Sequence, residues 1–213
     1  MMKVIKLLML IPLLFFCGLA QADMSAGLAE IQDAWAIANY QTPESGQEQA
    51  FETLVAEARK LAEAYPDSAE PKIWLAIVLS TDAGVTGGLG ALGKVKEARK
   101  QLEAAERINA DALNGSIYTS LGSLYYQVPG WPIGFGDDEK AQHYLKKALA
   151  INPDGIDPNY FYGDFMLEEG DYPQAVKYLE KAAAAAPRPG RELADKGRKA
   201  EVEQKLAEAR KKI

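Results

Sequence analysis

Apolar residues return at helical intervals along most of this chain, and several segments repeat one pattern. Residues 137–153 begin with acidic side chains, continue as an amphipathic helix and end at a proline. The apolar positions in that helix form a ladder of Ala, Leu and Ala at spacings of four and three. This ladder recurs twice elsewhere, and there is also one looser copy. In chain order the four ladders are Leu54, Ala58, Leu61; Ala98, Leu102, Ala105; Ala141, Leu145, Ala148; and Ala175, Leu179, Ala182. Four helices of one design predict an array of stacked helical hairpins.

A partner helix is predicted before each of the first three ladders, because residues 25–40, 69–80 and 114–127 also carry apolar residues at helical spacing. The first residues of successive ladders stand 44, 43 and 34 positions apart. In the third hairpin the landmarks of the partner helix are Tyr118, Leu121, Gly122 and Tyr125, and in the fourth they are Gly163, Met166, Gly170 and Tyr172.

These landmarks, followed by the Ala, Leu, Ala, Pro order of the next helix, resemble the tetratricopeptide repeat (TPR), whose period is 34 residues. The resemblance covers residues 25–187, with repeats at about 25–66, 69–110, 112–153 and 157–187. It implies an all-α, right-handed TPR-like α-solenoid of about four helical hairpins. Residues 188–213 are expected to add a C-terminal capping helix. That helix is rich in Lys and Arg, so docking to an acidic partner is the alternative to a purely solvating cap.

Residues 1–22 have the pattern of a secretory signal peptide: Lys3 and Lys6, an apolar run, and a small-x-small sequence that ends at Ala22. We expect cleavage near Ala22 and a periplasmic location in a Gram-negative bacterium. Cys17, the single cysteine, offers lipidation as the less favoured alternative, because the bulky Phe16 precedes it. Loss of this segment changes the formal net charge from −6 to −8. So acidic a chain argues against nucleic-acid partners, and we expect no transmembrane segment after cleavage.

No cofactor, metal or catalytic site is predicted, and we expect the protein not to be an enzyme. Residues 88–94 imitate a phosphate-binding loop, but Val95 stands where that loop needs Ser or Thr. His143 is the one histidine and no cysteine survives cleavage, so a transition-metal site would lack its usual ligands.

Two segments are predicted to be loops inserted at equivalent corners of their hairpins. Residues 82–93 hold five glycines, and residues 128–136 carry Trp131 and Phe135 between prolines and glycines. Insertions on equivalent corners project from one edge of a solenoid and often build a binding face. Either these loops gate a site, or they only pack, with Trp131 and Phe135 folded over the neighbouring helices.

The repeat geometry predicts a concave groove lined by the first helix of each hairpin. The candidate groove and loop residues are Leu75, Leu79, Thr119, Ser123, Tyr126, Gln127, Trp131, Phe135, Tyr160 and Asp164. Such a mixture of apolar, hydroxyl and aromatic side chains suits a peptide or protein partner, or a small amphipathic ligand. A merely hydrated inner face is the alternative.

We therefore expect a non-catalytic periplasmic binding or scaffold protein that holds a peptide or protein partner in the groove and the inserted loops. A small-ligand carrier is the alternative, since exported repeat proteins with long loops are similar to the periplasmic T component of TRAP-type transporters. An enclosed apolar pore lined by Leu75, Leu79, Tyr126 and Trp131 would favour the carrier. An open polar groove would favour a peptide or protein.

Overall fold

The computed structural model of the chain describes residues 13–213, and the side chains of residues 22–88 and 90–213. Within this part the chain forms nine α-helices and no β-strand, which confirms the predicted all-α fold. The helices are α1 Leu13–Tyr40, α2 Glu44–Ala64, α3 Ala69–Thr86, α4 Gly88–Ile108, α5 Ser116–Gln127, α6 Asp138–Ile151, α7 Ile156–Glu168, α8 Tyr172–Ala184 and α9 Glu192–Arg210. None of the described helices is both long and apolar enough to cross a membrane.

The predicted signal peptide lies partly outside the described residues, which begin at residue 13. In the described part, α1 continues through the predicted cleavage point at Ala22. Met24, two positions later, is buried in the core. Cleavage after Ala22 would therefore leave the core contribution of Met24 in place.

Consecutive helices pair as four hairpins, α1 with α2, α3 with α4, α5 with α6, and α7 with α8. The Ala, Leu, Ala ladders of α4, α6 and α8 have no solvent exposure at all. In the third and fourth hairpins the ladder packs against the partner helix where that helix carries a glycine. A Cβ on Gly122 would lie 2.5 Å from Cγ of Leu145, and a Cβ on Gly163 would lie 2.8 Å from Cγ of Leu179. The glycines are therefore required for the close approach of the two backbones.

The first hairpin also has a glycine at its closest helix contact, although its sequence pattern is weaker. A Cβ on Gly27 of α1 would come within 2.9 Å of Cδ1 of Leu61 in α2. Gly27 thus occupies the place in the first hairpin that Gly122 and Gly163 occupy in the third and fourth.

The odd-numbered helices form the inner layer, and they contact one another in the order α1, α3, α5, α7, α9. Helix α9 packs on α8 and α7, much as the first helix of a further hairpin would. It also contacts α1. The sequence predicted a cap on one end of the array, whereas α9 touches both ends and closes the inner layer into a ring of five helices.

The prediction that residues 82–93 form an inserted loop is wrong. Helix α3 continues to Thr86 and α4 begins at Gly88, so the connection is Gly87 alone, whose φ of 64° suits glycine. Glycine lowers helix propensity by about 1 kcal/mol, but packing between the two helices outweighs this cost. Across the turn the Lys94 ammonium lies 2.7 Å from Oδ2 of the buried Asp82 and bonds the Thr86 hydroxyl.

Candidate functional site

The ring of inner helices surrounds a cavity of about 590 Å³. All five inner helices contribute to its lining, together with the segments that precede α5, α7 and α9. A cavity of this size falls within the range of about 300–1,000 Å³ that is usual for ligand sites in proteins. The closure of α9 onto α1 turns an otherwise open groove into this cavity.

Aromatic side chains of α1 and α3 form one wall. The rings of Trp35 and Trp74 pack edge to face with centroids 6.2 Å apart, and Trp35 also packs edge to face on Tyr40 at 5.6 Å. The indole N–H of Trp35 donates to the Thr81 hydroxyl oxygen at 2.9 Å. This wall offers apolar ring edges held in a fixed orientation.

Hydroxyl and amide side chains of α5 form a polar wall of the cavity. At intervals of three and four residues α5 presents Ser116, Thr119, Ser120, Ser123 and Gln127 to the cavity. The Thr119 hydroxyl donates to the Gly115 carbonyl and the Ser123 hydroxyl to the Ser120 carbonyl, at 3.3 Å in each case. Their oxygens still have acceptor capacity, and the Gln127 amide both donates and accepts.

An unusual backbone segment leads into this polar helix. Leu113 and Asn114 have φ values of 51° and 52°, and Gly115 follows with a φ of 85°. Left-handed conformations cost side-chain-bearing residues roughly 1–2 kcal/mol each. Leu113 and Asn114 both line the cavity. Strained backbone of this kind is concentrated at binding and catalytic sites, where its geometry serves function.

A charged wall joins α7 to α9. Asp157 accepts hydrogen bonds from two guanidinium groups: Arg188 reaches Oδ2 at 2.7 Å and Arg198 reaches Oδ1 at 3.0 Å. Arg188 also donates through Nε to Asp195, at 2.7 Å, and Arg198 pairs with Glu201. Burial alone would raise the pKa of Asp157, but Arg198 and Arg188 outweigh it and hold that pKa below its usual value. The network stabilises the seam between α7 and α9.

Arg191 stands apart from this network although it lines the same cavity. Its guanidinium lies 4.9 Å from the centroid of the Trp74 ring and donates to the amide oxygen of Gln32 at a long 3.4 Å. Burial lowers the pKa of Arg191, and the nearby positive charge of Arg188 lowers it further. Both contacts of Arg191 are with uncharged groups.

Comparison with known proteins identifies the repeat. A family model described as tetratricopeptide repeat matches residues 133–195, which include the two best copies of the sequence pattern. Over these residues the chain is similar to the TPR family. The crystal structure of a thermophilic TPR protein from Thermus thermophilus matches with a TM-score of 0.58 and 18% identity, over 92% of this chain and 93% of that chain. Together with the nine described helices, this match confirms a TPR-like solenoid.

A second solved structure is PilF of Pseudomonas aeruginosa, which matches at 20% identity over 86% of this chain and 90% of that chain, with a TM-score of 0.36. A comparison with curated proteins finds no match.

The candidate residues named from the sequence do not all meet in the cavity. Thr119, Ser123 and Gln127 line it. Leu75 and Leu79 are buried in the core, at 1% and 2% exposure. The residues that would line a carrier pore, Leu75, Leu79, Tyr126 and Trp131, line neither this cavity nor the smaller one described below, so the small-ligand carrier is not supported.

Three of the candidates lie in contacts between inner helices. The Tyr126 hydroxyl donates to Oδ2 of Asp164 at 2.8 Å, which joins α5 to α7, and Lys205 of α9 lies 2.7 Å from Oδ1 of the same carboxylate. The Tyr160 ring packs under the guanidinium of Arg198 at 4.4 Å. These side chains stabilise the ring that encloses the cavity.

The loop between α5 and α6 is held in a fixed shape. The backbone N–H of Gly136 donates to the carbonyl of Pro129 at 3.0 Å, and a Cβ on Gly136 would come within 1.9 Å of the Val128 carbonyl oxygen. Phe135 folds back, with its ring 5.6 Å from that of Tyr125 and the Arg99 guanidinium 4.3 Å from its centroid. Phe135, one of the two aromatic residues of this loop, therefore packs inward.

Trp131 is 90% exposed at the outer side of this loop, and Ile133 is 61% exposed. Between the loop and the ends of α3 and α4 lies a second cavity of about 470 Å³, whose lining is largely apolar and includes Ile133. The two segments that the sequence placed on one edge of the array are thus neighbours, although the first of them is helical.

The aromatic wall and Arg191 were not among the residues named from the sequence. Trp35 and Trp74 have the helical spacing of ordinary core residues, and both are in fact more than nine-tenths buried. Arg191 lies beyond the last repeat. One signal that could have pointed to it is the placement of Arg188 and Arg191 between Pro187 and the start of α9, where positive charge opposes the helix dipole.

Proposed function

We propose that this TPR-like protein is exported to the periplasm of a Gram-negative bacterium, where it binds a short segment of a protein partner in the ring cavity without catalysing a reaction on it. The TPR fold supports a role as a protein-interaction scaffold. The observation that carries the proposal is the cavity itself, which combines an aromatic wall with a polar wall on α5.

The chemistry of the polar wall favours a peptide over a purely apolar ligand. An extended peptide presents N–H donors and C=O acceptors in alternation, and these need partners when water is excluded. Ser120, Gln127 and Asn114 supply hydroxyl and amide groups that both donate and accept, and the Ser116 oxygen, whose proton is donated to the Leu113 carbonyl, can accept. The indole edges of Trp35 and Trp74 would then contact the apolar side chains of the segment.

Selection of peptides with and without a blocked cavity tests this function. The purified protein is screened against a library of random hexapeptides, and the selected peptides are measured by fluorescence anisotropy. Ser120→Phe places a ring inside the cavity, whereas Ser45→Phe makes the same change on an exposed position of α2. We expect Ser120→Phe alone to weaken binding by tenfold or more. Equal affinity in both variants would contradict binding in the cavity.

The proposed location rests on the signal-peptide pattern of residues 1–22 and has its own experiment. The full chain is produced in a Gram-negative host, cell fractions are separated, and the intact mass of the protein is measured. We expect a periplasmic protein that begins at Asp23 and a Cys17→Ser variant with the same distribution. A lipid-modified protein in the membrane fraction that begins at Cys17 would contradict cleavage at Ala22, and retention in the cytoplasm would contradict export.

The proposed absence of catalysis is tested with panels of ester and peptide substrates. Turnover that survives repeated purification and is lost in the Ser120→Phe variant would contradict it.

A further inference from the structure

Three arginines border one side of the cavity, and they differ in their partners. Arg188 contacts two carboxylates, Asp157 and Asp195. Arg198 also contacts two, Asp157 and Glu201. Among the described side chains, no carboxylate pairs with Arg191, whose one hydrogen bond is the long contact with the Gln32 amide oxygen. The cavity wall therefore carries one positive charge that the protein itself does not neutralise by direct contact.

Two of the three carboxylates near Arg191, Asp157 and Asp195, already bind other groups; the third, Asp33 of α1, makes no ion pair with Arg191. Each oxygen of Asp157 accepts from a different arginine, Oδ2 from Arg188 and Oδ1 from Arg198. Both oxygens of Asp195 accept from Arg188, Oδ2 from its backbone N–H and Oδ1 from its side chain. Neither carboxylate can turn toward Arg191 without breaking one of these bonds.

Arg191 is also held in position for a ligand. The guanidinium lies over the Trp74 ring, 4.9 Å from its centroid, which is a favourable cation–π arrangement. A guanidinium has five N–H donors in a rigid fork, and most of those of Arg191 remain available. Placing a cation in a partly buried site without a counter-ion is unfavourable, and its lowered pKa has the direction that such a site produces.

We propose that the peptide segment bound in this cavity is acidic, and that one of its carboxylates pairs with Arg191 against the face of Trp74. The inference rests on the proposed function, because it assigns the chemistry of the ligand in that same cavity. A carboxylate is the group that a free guanidinium fork binds in two parallel hydrogen bonds. A Glu or Asp side chain and a C-terminal carboxylate share this chemistry, and the experiment separates them.

The test uses hexapeptides selected on the purified protein, each made in three forms. The first form has a free C-terminus, the second is C-terminally amidated, and the third has every Asp and Glu replaced by Asn and Gln. We expect one of the two replacements of a carboxylate to weaken binding by about tenfold or more, which corresponds to about 1.4 kcal/mol. Loss on amidation assigns the C-terminal carboxylate, and loss on the Asn and Gln exchange assigns a side chain.

Arg191→Gln is the decisive variant, and Arg210→Gln is its matched control on α9. Arg210 is exposed and pairs with Glu180 on the outer surface. We expect Arg191→Gln to bind the acidic and neutral peptides equally, and Arg191→Lys to keep part of the preference because it keeps the charge without the planar fork. Arg210→Gln should behave like the unchanged protein. Circular dichroism of each variant monitors folding.

The possible failures are distinct. If peptides bind in the cavity but neutral and acidic forms bind equally, or if Arg191→Gln keeps the preference, the acidic-ligand inference is overturned while the proposed function stands. If no selected peptide needs the cavity for binding, both the acidic-ligand inference and the proposed function are overturned.

Discussion

The backbone of Gly197 in α9 lies directly against the Tyr40 ring at the end of α1: a Cβ on Gly197 would come within 2.4 Å of Cγ and Cδ1 of that ring. These two residues mark the point where the last described helix meets the first. Only a residue without a side chain permits this approach, so the closure of the ring depends on a glycine at position 197.

Replacement of that glycine should open the seam between α1 and α9. We expect Gly197→Ala to lower the free energy of unfolding by about 1–3 kcal/mol, because the methyl group overlaps an aromatic ring that is itself packed on Trp35. Urea denaturation monitored by circular dichroism measures the change. Gly93→Ala is the matched control: nothing lies within 4 Å of its Cβ position in α4, so alanine should stabilise that helix by about 0.5–1 kcal/mol. Similar behaviour of the two variants would contradict the tight contact.

Lys94→Met should be strongly destabilising although Lys94 belongs to a glycine-rich sequence. The change leaves the carboxylate of Asp82, which is 2% exposed, without its cation, and we expect a loss of roughly 2–4 kcal/mol in urea denaturation. A double variant, Lys94→Met with Asp82→Asn, removes both charges and should recover part of the loss. If residues 82–93 were a flexible loop, Lys94→Met would have little effect.

Asp157→Asn should destabilise the protein in a pH-dependent way. The pKa of Asp157 is lower in the folded protein than its ordinary value near 3.9, so its ionised form contributes stability above about pH 4, and that contribution is lost as pH falls through the folded pKa. We expect a deficit of about 1–3 kcal/mol at pH 7 that shrinks as the pH is lowered from 4 toward 3. Urea denaturation at pH 7, 5, 4 and 3 measures it. A deficit that is constant over this range would contradict the assignment, and Asp154→Asn, an exposed neighbour, serves as the control.

Trp131→Ala should change stability by less than about 0.5 kcal/mol, because the side chain is 90% exposed. Trp74→Ala should lower the free energy of unfolding by about 3–5 kcal/mol, since it removes a buried ring from the inner wall.

Acrylamide quenching of tryptophan fluorescence gives a second measurement of the exposure of these side chains. Loss of Trp131 should remove most of the quenchable emission, and the remaining emission, from Trp35 and Trp74, should be protected. Efficient quenching in Trp131→Ala would show that the inner wall is open to solvent.

The hairpins were predictable from the sequence because each depends on local spacing. Ala141, Leu145 and Ala148 recur on one face of a helix, and Gly122 meets Leu145 at the position that the repeat pattern indicates. Composition misled only at residues 82–93. Five glycines in twelve residues suggested a loop, but tertiary contacts of Ala83, Val95 and the Asp82–Lys94 pair stabilise helix there.

The site was predictable in part. Thr119, Ser123 and Gln127 line the cavity because the inner helix of a hairpin presents one face to the groove. The contribution of Arg191 depends on the path of the chain after Pro187 and on the angle at which each hairpin stacks on the next. Small rotations add over four hairpins, and the spacing of residues in the sequence does not specify their sum. Contact between α1 and α9, and with it the ring that lines the cavity, follows from that sum.

The contact between α1 and α9 at Gly197 should change how this protein folds and unfolds. In a linear repeat array the terminal units fray first, and unfolding spreads inward one unit at a time. Here the helix that is translated first among the nine and the helix that is translated last are each other's neighbours. Neither is a free edge, so loss of one exposes the other, and unfolding should proceed as a single cooperative event. Only the fully folded protein should then bind a ligand. A chain that still lacks α9 has neither Arg198 nor the complete ring of inner helices around the cavity.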